Sequence, residues 1–221
     1  MLPLYDENPT RRFPVITSAL ILANFAVFFL WQIDVGMQKS VSLAALVPVE
    51  LHPVTMGGVQ HVFTSMFMHG GLLHLLGNMW FLWIFGDNVE DETSRIRFPI
   101  FYLLCGIAAA LAHAIAQPDS RIPMVGASGA ISGVLGGYLV LHPTAKVATF
   151  LRFGVVGVPA WLYLFIWIGF QLLAQYQEGM RTGGKSGVAY LAHIGGFVAG
   201  VILIFIFQRP QGEQRSDNSR G

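Results

Sequence analysis

The sequence is short of charged residues. Only 11% of its 221 residues are Asp, Glu, Lys or Arg, whereas 54% are hydrophobic. Soluble domains usually carry about 25% charged residues, because charged groups cover their water-facing surface. The low charge therefore predicts a surface that faces lipid, so a bilayer is an expected partner. The formal net charge of +1 provides no basic field suited to nucleic acid, which is not expected as a partner.

The scarcity of cysteine, the lack of charge in the apolar runs and the lack of a zinc-protease motif each argue against another kind of protein. The single cysteine, Cys105, excludes an internal disulfide, so the fold must be held by packing. The apolar runs contain no Asp, Glu, Lys or Arg, which weakens the interpretation as a transporter or channel. No H-E-x-x-H motif is present, which disfavours a metalloprotease. No metal and no cofactor are expected.

What the sequence does contain is a series of apolar runs. A helix needs roughly 20 apolar residues to cross a bilayer, and four runs reach about this length while two are shorter. The predicted spans are 15–33, 72–86, 98–116, 126–142, 153–175 and 190–208. The first run is too long for the apolar region of a signal peptide, and no small-residue cleavage site follows it. We therefore expect it to be retained as a span.

Lysine and arginine in the loops predict the orientation, because these residues accumulate on the cytoplasmic side. With the N-terminus inside, nine lie on the inner side and four on the outer side. The inner residues are Arg11, Arg12, Arg95, Arg97, Lys146, Arg152, Arg209, Arg215 and Arg220. The outer residues are Lys39, Arg121, Arg181 and Lys185. Both termini are therefore predicted to be cytoplasmic, in agreement with an even number of spans.

These observations predict an all-α membrane protein that forms a six-transmembrane-helix bundle. We expect one domain over residues 1–221, with a core at about 15–208 and cytoplasmic tails at 1–14 and 209–221. The segment 34–71 is broken by prolines, glycines and polar residues and is not predicted to be a span. Its apolar residues include Leu43, Leu46, Val47, Leu51 and Met56. This first loop is expected to fold onto the membrane interface.

Polar residues in three of the spans are predicted to lie at the same depth. The second, fourth and sixth spans all run from outside to inside, so their N-terminal ends lie in the outer half. The polar residues near these ends are His74, Asn78, Ser128 and His193. Each alone is compatible with a structural role, since a serine in a membrane helix often bonds its own backbone. Their joint placement indicates a functional site.

Small residues near Ser128 and His193 indicate close helix packing. Ser128, Ser132 and Gly136 recur at four-residue spacing, and Gly196 and Gly200 share a face with His193. Small residues let two membrane helices approach closely, which would bring the serine and histidine within hydrogen-bond reach. The fourth span has 17 residues and would be about 25 Å long, shorter than a core of about 30 Å. Ser128 is therefore expected at the bottom of a recess that water can enter.

Three motifs contain the polar and small residues of these spans. The first is His69-Gly70-Gly71-Leu72-Leu73-His74-Leu75-Leu76-Gly77-Asn78. The second is Gly126-Ala127-Ser128-Gly129, followed by Gly133 and Gly137. The third is Ala192-His193-Ile194-Gly195-Gly196, followed by Gly200. Three motifs in this order form a specific signal, whereas a lone G-x-S-G would be a weak one, and they make the sequence similar to the rhomboid intramembrane proteases over about residues 15–208.

The resemblance implies a Ser–His dyad with no third acidic residue. Ser128 matches the nucleophile and His193 the general base, whereas His74, Asn78 and the Ser128 backbone N–H match the oxyanion hole. The residues expected to give structural support are His69, Gly126, Gly129 and Gly196. His69 matches a histidine that holds the first loop, and Gly126 matches a residue of the loop before the nucleophile. The dipole at the start of the last span disfavours imidazolium, which predicts a neutral His193.

The sequence departs from the family pattern at two places. Many relatives have an aromatic residue one turn after the nucleophile, where it can stack on the catalytic histidine. This position is Ser132 here, so His193 is expected to be held differently. Many relatives also carry Trp-Arg in the first loop, where this chain has Gln60-His61. That difference concerns the lipid contacts of the loop and not the chemistry.

The function implied by the resemblance is that of a serine endopeptidase that cleaves transmembrane segments of other membrane proteins. The absence of a targeting extension leads us to expect a multi-pass protein of a prokaryotic cell membrane. The fifth span and the glycine-rich loop after it match the gate and cap of the family. That loop contains Gly179, Gly183, Gly184 and Gly187. We expect the aromatic residues of the fifth span mostly to face lipid.

Rival interpretations remain open at this point. A catalytically silent rhomboid-like protein would bind membrane proteins without cutting them, although such relatives lack the nucleophile or the base. Zinc ligation by His69, His74 and His193 is possible by residue type alone. The remaining histidines are His52, His61, His113 and His142. All four are expected to be structural or solvated.

Overall fold

Helices make up most of the computed structural model, which describes residues 1–51, 54–152, 154–182 and 189–209. The helices are α1 (Val15–Val35), α2 (Met37–Ala44), α3 (Met56–Thr64), α4 (Leu72–Thr93), α5 (Arg97–Ala116), α6 (Ser128–Leu141), α7 (Ala160–Thr182) and α8 (Tyr190–Phe207). Within the described residues, α1, α5 and α8 are long and apolar enough to cross a membrane, and α6 is a shorter apolar helix. These four helices match four of the predicted spans, and α4 and α7 cover most of the other two.

Helix α4 extends beyond the predicted end of its span, and its extra turns are polar. They carry Glu90, which accepts hydrogen bonds from the backbone N–H groups of Ile16 (3.0 Å) and Thr17 (2.8 Å) at the start of α1. The first N–H groups of a helix have no acceptor within it, and a carboxylate there is favourable. The extension of α4 therefore caps α1 and aligns the two helices.

A small β-sheet departs from the predicted all-α fold. Its strands are β1 (Leu2–Asp6), β2 (Lys146–Leu151) and β3 (Gly154–Pro159), antiparallel and in the order β1-β2-β3. The prediction was wrong for two segments, since β1 lies in the expected tail and β3 occupies the expected start of the fifth span. Short apolar runs fit a strand or a helix equally well, and β-branched valines favour the strand. Phe153, in the same predicted span, lies outside the described residues.

The sheet is anchored to the helices at the end of α6 that is remote from Ser128. Tyr138 on α6 donates from its hydroxyl to Asp6 Oδ2 at 2.6 Å, and Asn88 on α4 donates to the same oxygen at 2.9 Å. Trp80 donates from Nε1 to the backbone oxygen of Pro3 at 2.7 Å. These bonds fasten β1 to two helices, and the strand pairing then fixes the chain between α6 and α7.

Helix α6 lies in the middle of the bundle, and glycines set its distance from α8. A Cβ atom on Gly196 would overlap the carbonyl oxygen of Gly129, and one on Gly200 would overlap that of Gly133. The two contacts are one turn apart and advance in the same direction on both helices, so α6 and α8 run parallel. The predicted close approach is confirmed: Gly136 of the predicted stripe contacts α8, since a Cβ atom on it would overlap the carbonyl oxygen of Phe197. Gly129 and Gly133, which lie outside that stripe, contact α8 as well.

The first loop is folded and consists of short helices. Helices α2 and α3 and two 3-10 turns, Pro48–Glu50 and Ser65–Phe67, connect α1 to α4. Leu46 and Leu51 are buried, whereas Leu43 and Met56 are exposed. The exposed apolar side chains are compatible with the expected place of this loop at a membrane interface. His52 and Pro53 lie outside the described residues.

Candidate active site

Ser128 and His193 are in direct contact. Ser128 is the first residue of α6, and His193 lies in the first turn of α8. His193 Nε2 and Ser128 Oγ are 2.8 Å apart, which is a hydrogen-bond distance. The glycine contacts between α6 and α8 explain this approach, because they hold the two backbones together one turn further along. The predicted juxtaposition of these two side chains is therefore confirmed.

His74 and Asn78 lie on one face of α4 opposite this pair. Gly70 donates its backbone N–H to His74 Nδ1 at 3.3 Å, so a neutral His74 carries its proton on Nε2. Asn78 is buried, and its Nδ2 has no acceptor among the described residues. Two N–H donors are thereby left available beside Ser128. The Ser128 backbone N–H is a third, because the first N–H groups of a helix lack an acceptor within it.

These groups surround a cavity of about 410 Å³. Its polar lining is formed by His74, Asn78, His113, Ser128 and His193. A space of this size holds many water molecules or a short stretch of extended peptide. Helix α6 has only 14 residues, or about 21 Å of length, in agreement with a recess above Ser128.

His113 is the lining residue that the sequence analysis missed. It was expected to be structural or solvated, but it is buried and its ring borders the cavity. The signal for it was available, since His113 lies near the C-terminal end of α5. A third span that runs from inside to outside ends at the same depth at which the second, fourth and sixth begin.

Gly126 sits between the candidate oxyanion donors and the nucleophile. Its φ angle is +125°, a conformation that L side chains rarely adopt. A Cβ atom there would lie 2.9 Å from both Cε1 and Nε2 of His74. Its backbone N–H donates to the Ser65 carbonyl at 2.9 Å, which connects the turn to the first loop. The expected supporting position of Gly126 is thus occupied by the one residue type that fits.

His69 is placed where the sequence analysis expected a support for the first loop. It is fully buried, and both its backbone N–H and its carbonyl bond the side-chain amide of Gln32 on α1, at 2.9 and 3.0 Å. Its ring lies edge-on to that of His74, with centroids 5.3 Å apart. Burial lowers the pKa of His69 to about 4, so the ring is neutral at pH 7. His69 therefore contacts His74 without adding a charge.

The other side of the His193 ring is held by α7. His193 Nδ1 lies 2.8 Å from Gln171 Oε1, and the Trp167 ring lies beside the imidazole with centroids 6.3 Å apart. Ser132 donates to the Ser128 carbonyl at 2.6 Å, so its hydroxyl bonds its own helix. The expectation that His193 is held differently is confirmed: Gln171 and Trp167 of α7 contact its ring, and the Tyr190 ring of α8 lies edge-on to it with centroids 6.4 Å apart.

The aromatic residues of α7 divide between lipid and protein. Trp161, Phe165 and Phe170 are exposed, as expected for side chains that face lipid. Tyr163 is buried and Trp167 packs on His193 and Phe197, so these two are the exceptions to the expectation that the aromatic residues mostly face lipid. Among the loop glycines, Gly183, Gly184 and Gly187 lie outside the described residues.

The bundle of apolar helices and the polar side chains that line its cavity define a helical membrane protein with a serine–histidine site. Residues 56–210 match the Rhomboid domain family, and the chain belongs to the rhomboid family. It is 29% identical over 187 residues to Rhomboid protease GluP of Bacillus subtilis, covering 85% of this chain and 34% of the relative.

Eukaryotic relatives show the same level of similarity. The mitochondrial Rhomboid protein 1 of Saccharomyces cerevisiae is 30% identical over 204 residues, covering 90% of this chain and 55% of the relative. RHOMBOID-like protein 5 of Arabidopsis thaliana is 29% identical over 171 residues, covering 77% and 51%. The chain thus spans between a third and just over half of the length of these relatives.

Proposed function

We propose that the chain is an intramembrane serine endopeptidase that cleaves transmembrane segments of other membrane proteins. The observation that carries this proposal is the 2.8 Å contact between Ser128 Oγ and His193 Nε2, at the wall of a cavity that His74 and Asn78 also line. A hydroxyl and an imidazole at hydrogen-bond distance form the minimal unit that activates a serine. Membership of a family that includes a relative named as a protease supports it further.

The proposed reaction proceeds by acyl transfer. His193 Nε2 takes the proton of the Ser128 hydroxyl while Oγ attacks the carbonyl carbon of the scissile bond. The resulting oxyanion accepts hydrogen bonds from His74 Nε2–H, Asn78 Nδ2–H and the Ser128 backbone N–H. One such donor lowers the barrier by about 2.7–4 kcal/mol. His193 then gives its proton to the leaving amine, and a water activated by the same nitrogen hydrolyses the acyl-enzyme.

We further propose that the protein crosses the bilayer six times with both termini in the cytoplasm. The three helices that meet the length and apolarity requirement, together with α4, α6 and α7, would be the spans. The loop lysines and arginines support this orientation. We also retain the single domain over 1–221 and the multi-pass cell-membrane location as proposals. The first loop would rest on the outer interface.

Substrate is proposed to enter beside α7. Helix α7 contacts α4 through the rings of Phe85 and Tyr163, whose centroids are 6.2 Å apart. Tyr163 belongs to the first turn of α7, whereas Gln171 at the level of the cavity contacts α8. The cavity end of α7 could therefore separate from α4 while its start stays packed. Small or helix-breaking residues in the substrate would let it unwind into this opening.

The test is cleavage of a fluorescent transmembrane substrate by the purified protein in detergent. Ser128→Ala and His193→Ala are each expected to abolish cleavage and to leave the thermal unfolding temperature nearly unchanged. Ser132→Ala is the matched control, because Ser132 is buried one turn away and bonds only its own helix among the described residues. Full activity in Ser128→Ala would contradict the proposal.

Labelling by a fluorophosphonate separates the enzyme from a catalytically silent rhomboid-like protein. An activated serine reacts with this probe, so we expect labelling that is lost in Ser128→Ala and kept in Ser132→Ala. A wild-type protein that binds membrane proteins but is not labelled would identify the silent alternative. Chelator-sensitive cleavage would instead favour zinc held by His69, His74 and His193.

A further inference from the structure

The Nδ1 atom of His193 has a partner on a helix that carries neither member of the serine–histidine pair. Gln171 Oε1 on α7 lies 2.8 Å from this atom. Trp167, four residues earlier on the same helix face, lies against the imidazole, with the planes of the two rings 35° apart. The His193 ring is therefore bonded at both nitrogens and contacted by an indole.

The geometry of this contact selects one tautomer of a neutral histidine. A carbonyl oxygen can only accept, so the bond to Gln171 Oε1 requires the proton on Nδ1. Nε2 is then unprotonated and accepts from the Ser128 hydroxyl, which is the state that a general base needs. With the opposite tautomer, Nε2 would carry a proton and could not remove the one on Ser128.

We propose that Gln171 is a positioning residue that fixes the tautomer and the orientation of His193 for attack by Ser128. The inference rests on the proposed protease function. In enzymes with an Asp–His–Ser triad a carboxylate orients the histidine, whereas here a neutral amide would do so without adding a buried charge. Ser132 does not take this role, because it donates to the Ser128 carbonyl.

Two substitutions separate orientation from packing. Gln171→Leu keeps the approximate volume but removes the acceptor, and we expect kcat to fall about 10–100-fold, as for other groups that orient a functional histidine. KM is expected to change less than about twofold, because the substitution alters no contact that binds the substrate in the enzyme–substrate complex. Gln171→Glu restores an acceptor, so most of the wild-type kcat should return. Gln175→Leu, one turn further along α7, is the matched control.

The pH–rate profile gives a readout that a purely structural role would not change. The Glu carboxylate stabilises the imidazolium, so the acid limb in Gln171→Glu should move to higher pH than in the wild type. His74 and His113 face the same cavity and the Tyr190 ring lies edge-on to His193, so the comparison is made between variants that share all three groups. A profile that is unchanged in Gln171→Glu would overturn the proposal.

Nitrogen NMR of histidine-labelled protein tests the same idea without substrate. In the Ser128→Ala background we expect His193 to be protonated at Nδ1, and Gln171→Leu to produce a mixture of tautomers. A wild-type Nε2–H tautomer, or a Gln171→Leu variant with wild-type kcat, would refute the positioning role. If the wild-type protein cleaves nothing, the protease proposal fails. The NMR result still decides which nitrogen of His193 carries the proton and whether Gln171 fixes it there.

Discussion

Gly126 shows how strongly a single position can constrain the site. Its φ angle of +125° and its distance to the His74 ring leave no room for a side chain. In Gly126→Ala the new methyl group must displace His74, and the backbone is also strained by about 1–3 kcal/mol. We expect kcat for the transmembrane substrate to fall at least about tenfold, since 1.4 kcal/mol of lost oxyanion stabilisation has that effect.

The control for this substitution is Gly57→Ala in α3. A Cβ atom there would meet only Thr55 Oγ1, at 4.0 Å, and activity should stay at the wild-type level. Equal activity of the Gly126 and Gly57 variants would show that the turn before Ser128 tolerates a side chain.

His69 makes stability depend on pH. Its pKa is about 4 in the folded protein because of burial, against 6.5 for an unperturbed histidine. The unfolded chain therefore binds more protons between these values, and stability is full above pH 6.5 and is lost as the pH falls toward 4. One pKa unit corresponds to about 1.4 kcal/mol, so the loss is at most roughly 3.5 kcal/mol.

Thermal unfolding in detergent at pH 7, 6, 5 and 4.5 measures this effect. The unfolding temperature of His69→Asn should decline less steeply over this range than that of the wild type. Parallel declines in the two proteins would mean that other groups cause the acid sensitivity.

At the scale of elements, the parallel contact between α6 and α8 determines the distance between the serine and the histidine. In Gly200→Ala the new Cβ overlaps the Gly133 carbonyl, so the two helices must separate. Overpacking of this kind typically costs about 1–3 kcal/mol, and it also lengthens the distance between Ser128 Oγ and His193 Nε2. We expect a lower unfolding temperature together with reduced kcat.

Gly169→Ala on α7 is the matched control, because nothing lies within 4 Å of the added methyl group. Its unfolding temperature should equal or exceed that of the wild type, since alanine favours a helix by about 1 kcal/mol over glycine. Wild-type stability and activity in Gly200→Ala would contradict the importance of the glycine contact.

The helices could be predicted from the sequence more readily than the sheet. Apolar length identified α1, α5, α6 and α8, because lipid-facing and buried residues make continuous apolar runs. Strand β1 was missed because its pairing depends on β2, which is distant from it in the chain. Strand β3 pairs with β2 directly before it, and it was missed because its short apolar run fits a strand or a helix equally well. Strand pairing between remote segments leaves no local signal comparable to that of an apolar helix.

The residues of the site also differ in how readily they could be predicted from the sequence. Ser128, His193, His74 and Asn78 could be found because polar residues are rare inside spans and these share one depth. Gln171 could not, because its role depends on the rotation of α7 about its axis. Depth follows from counting residues along a helix, whereas the side that a residue faces depends on how neighbouring helices pack.

At the scale of the whole molecule, the proposed orientation can be tested by labelling introduced cysteines, because the protein has a single native cysteine. Cys105 is fully buried, so a water-soluble maleimide should not reach it. We expect Lys39→Cys to be labelled from outside intact cells, because Lys39 is exposed and belongs to the proposed outer loop. Ile96 is also exposed and belongs to the proposed inner loop, so Ile96→Cys should be labelled only after the cells are opened.

The wild-type protein, with Cys105 alone, is the control for background labelling. Labelling of Ile96→Cys in intact cells without labelling of Lys39→Cys would invert the proposed topology. Labelling of both would indicate that the two loops lie on the same side, and the six-span arrangement would then be wrong.

The bond from Gln171 to His193 also sets the order of events in the proposed enzyme. A substrate helix that pushes α7 outward would draw the Gln171 amide away from the His193 imidazole. The imidazole proton could then move from Nδ1 to Nε2, the nitrogen that faces Ser128. The hydroxyl loses its acceptor for as long as the bundle stays parted. In the proposed enzyme, substrate entry and cleavage would therefore be consecutive, and a bound segment would be attacked only after α7 has returned to its packed position.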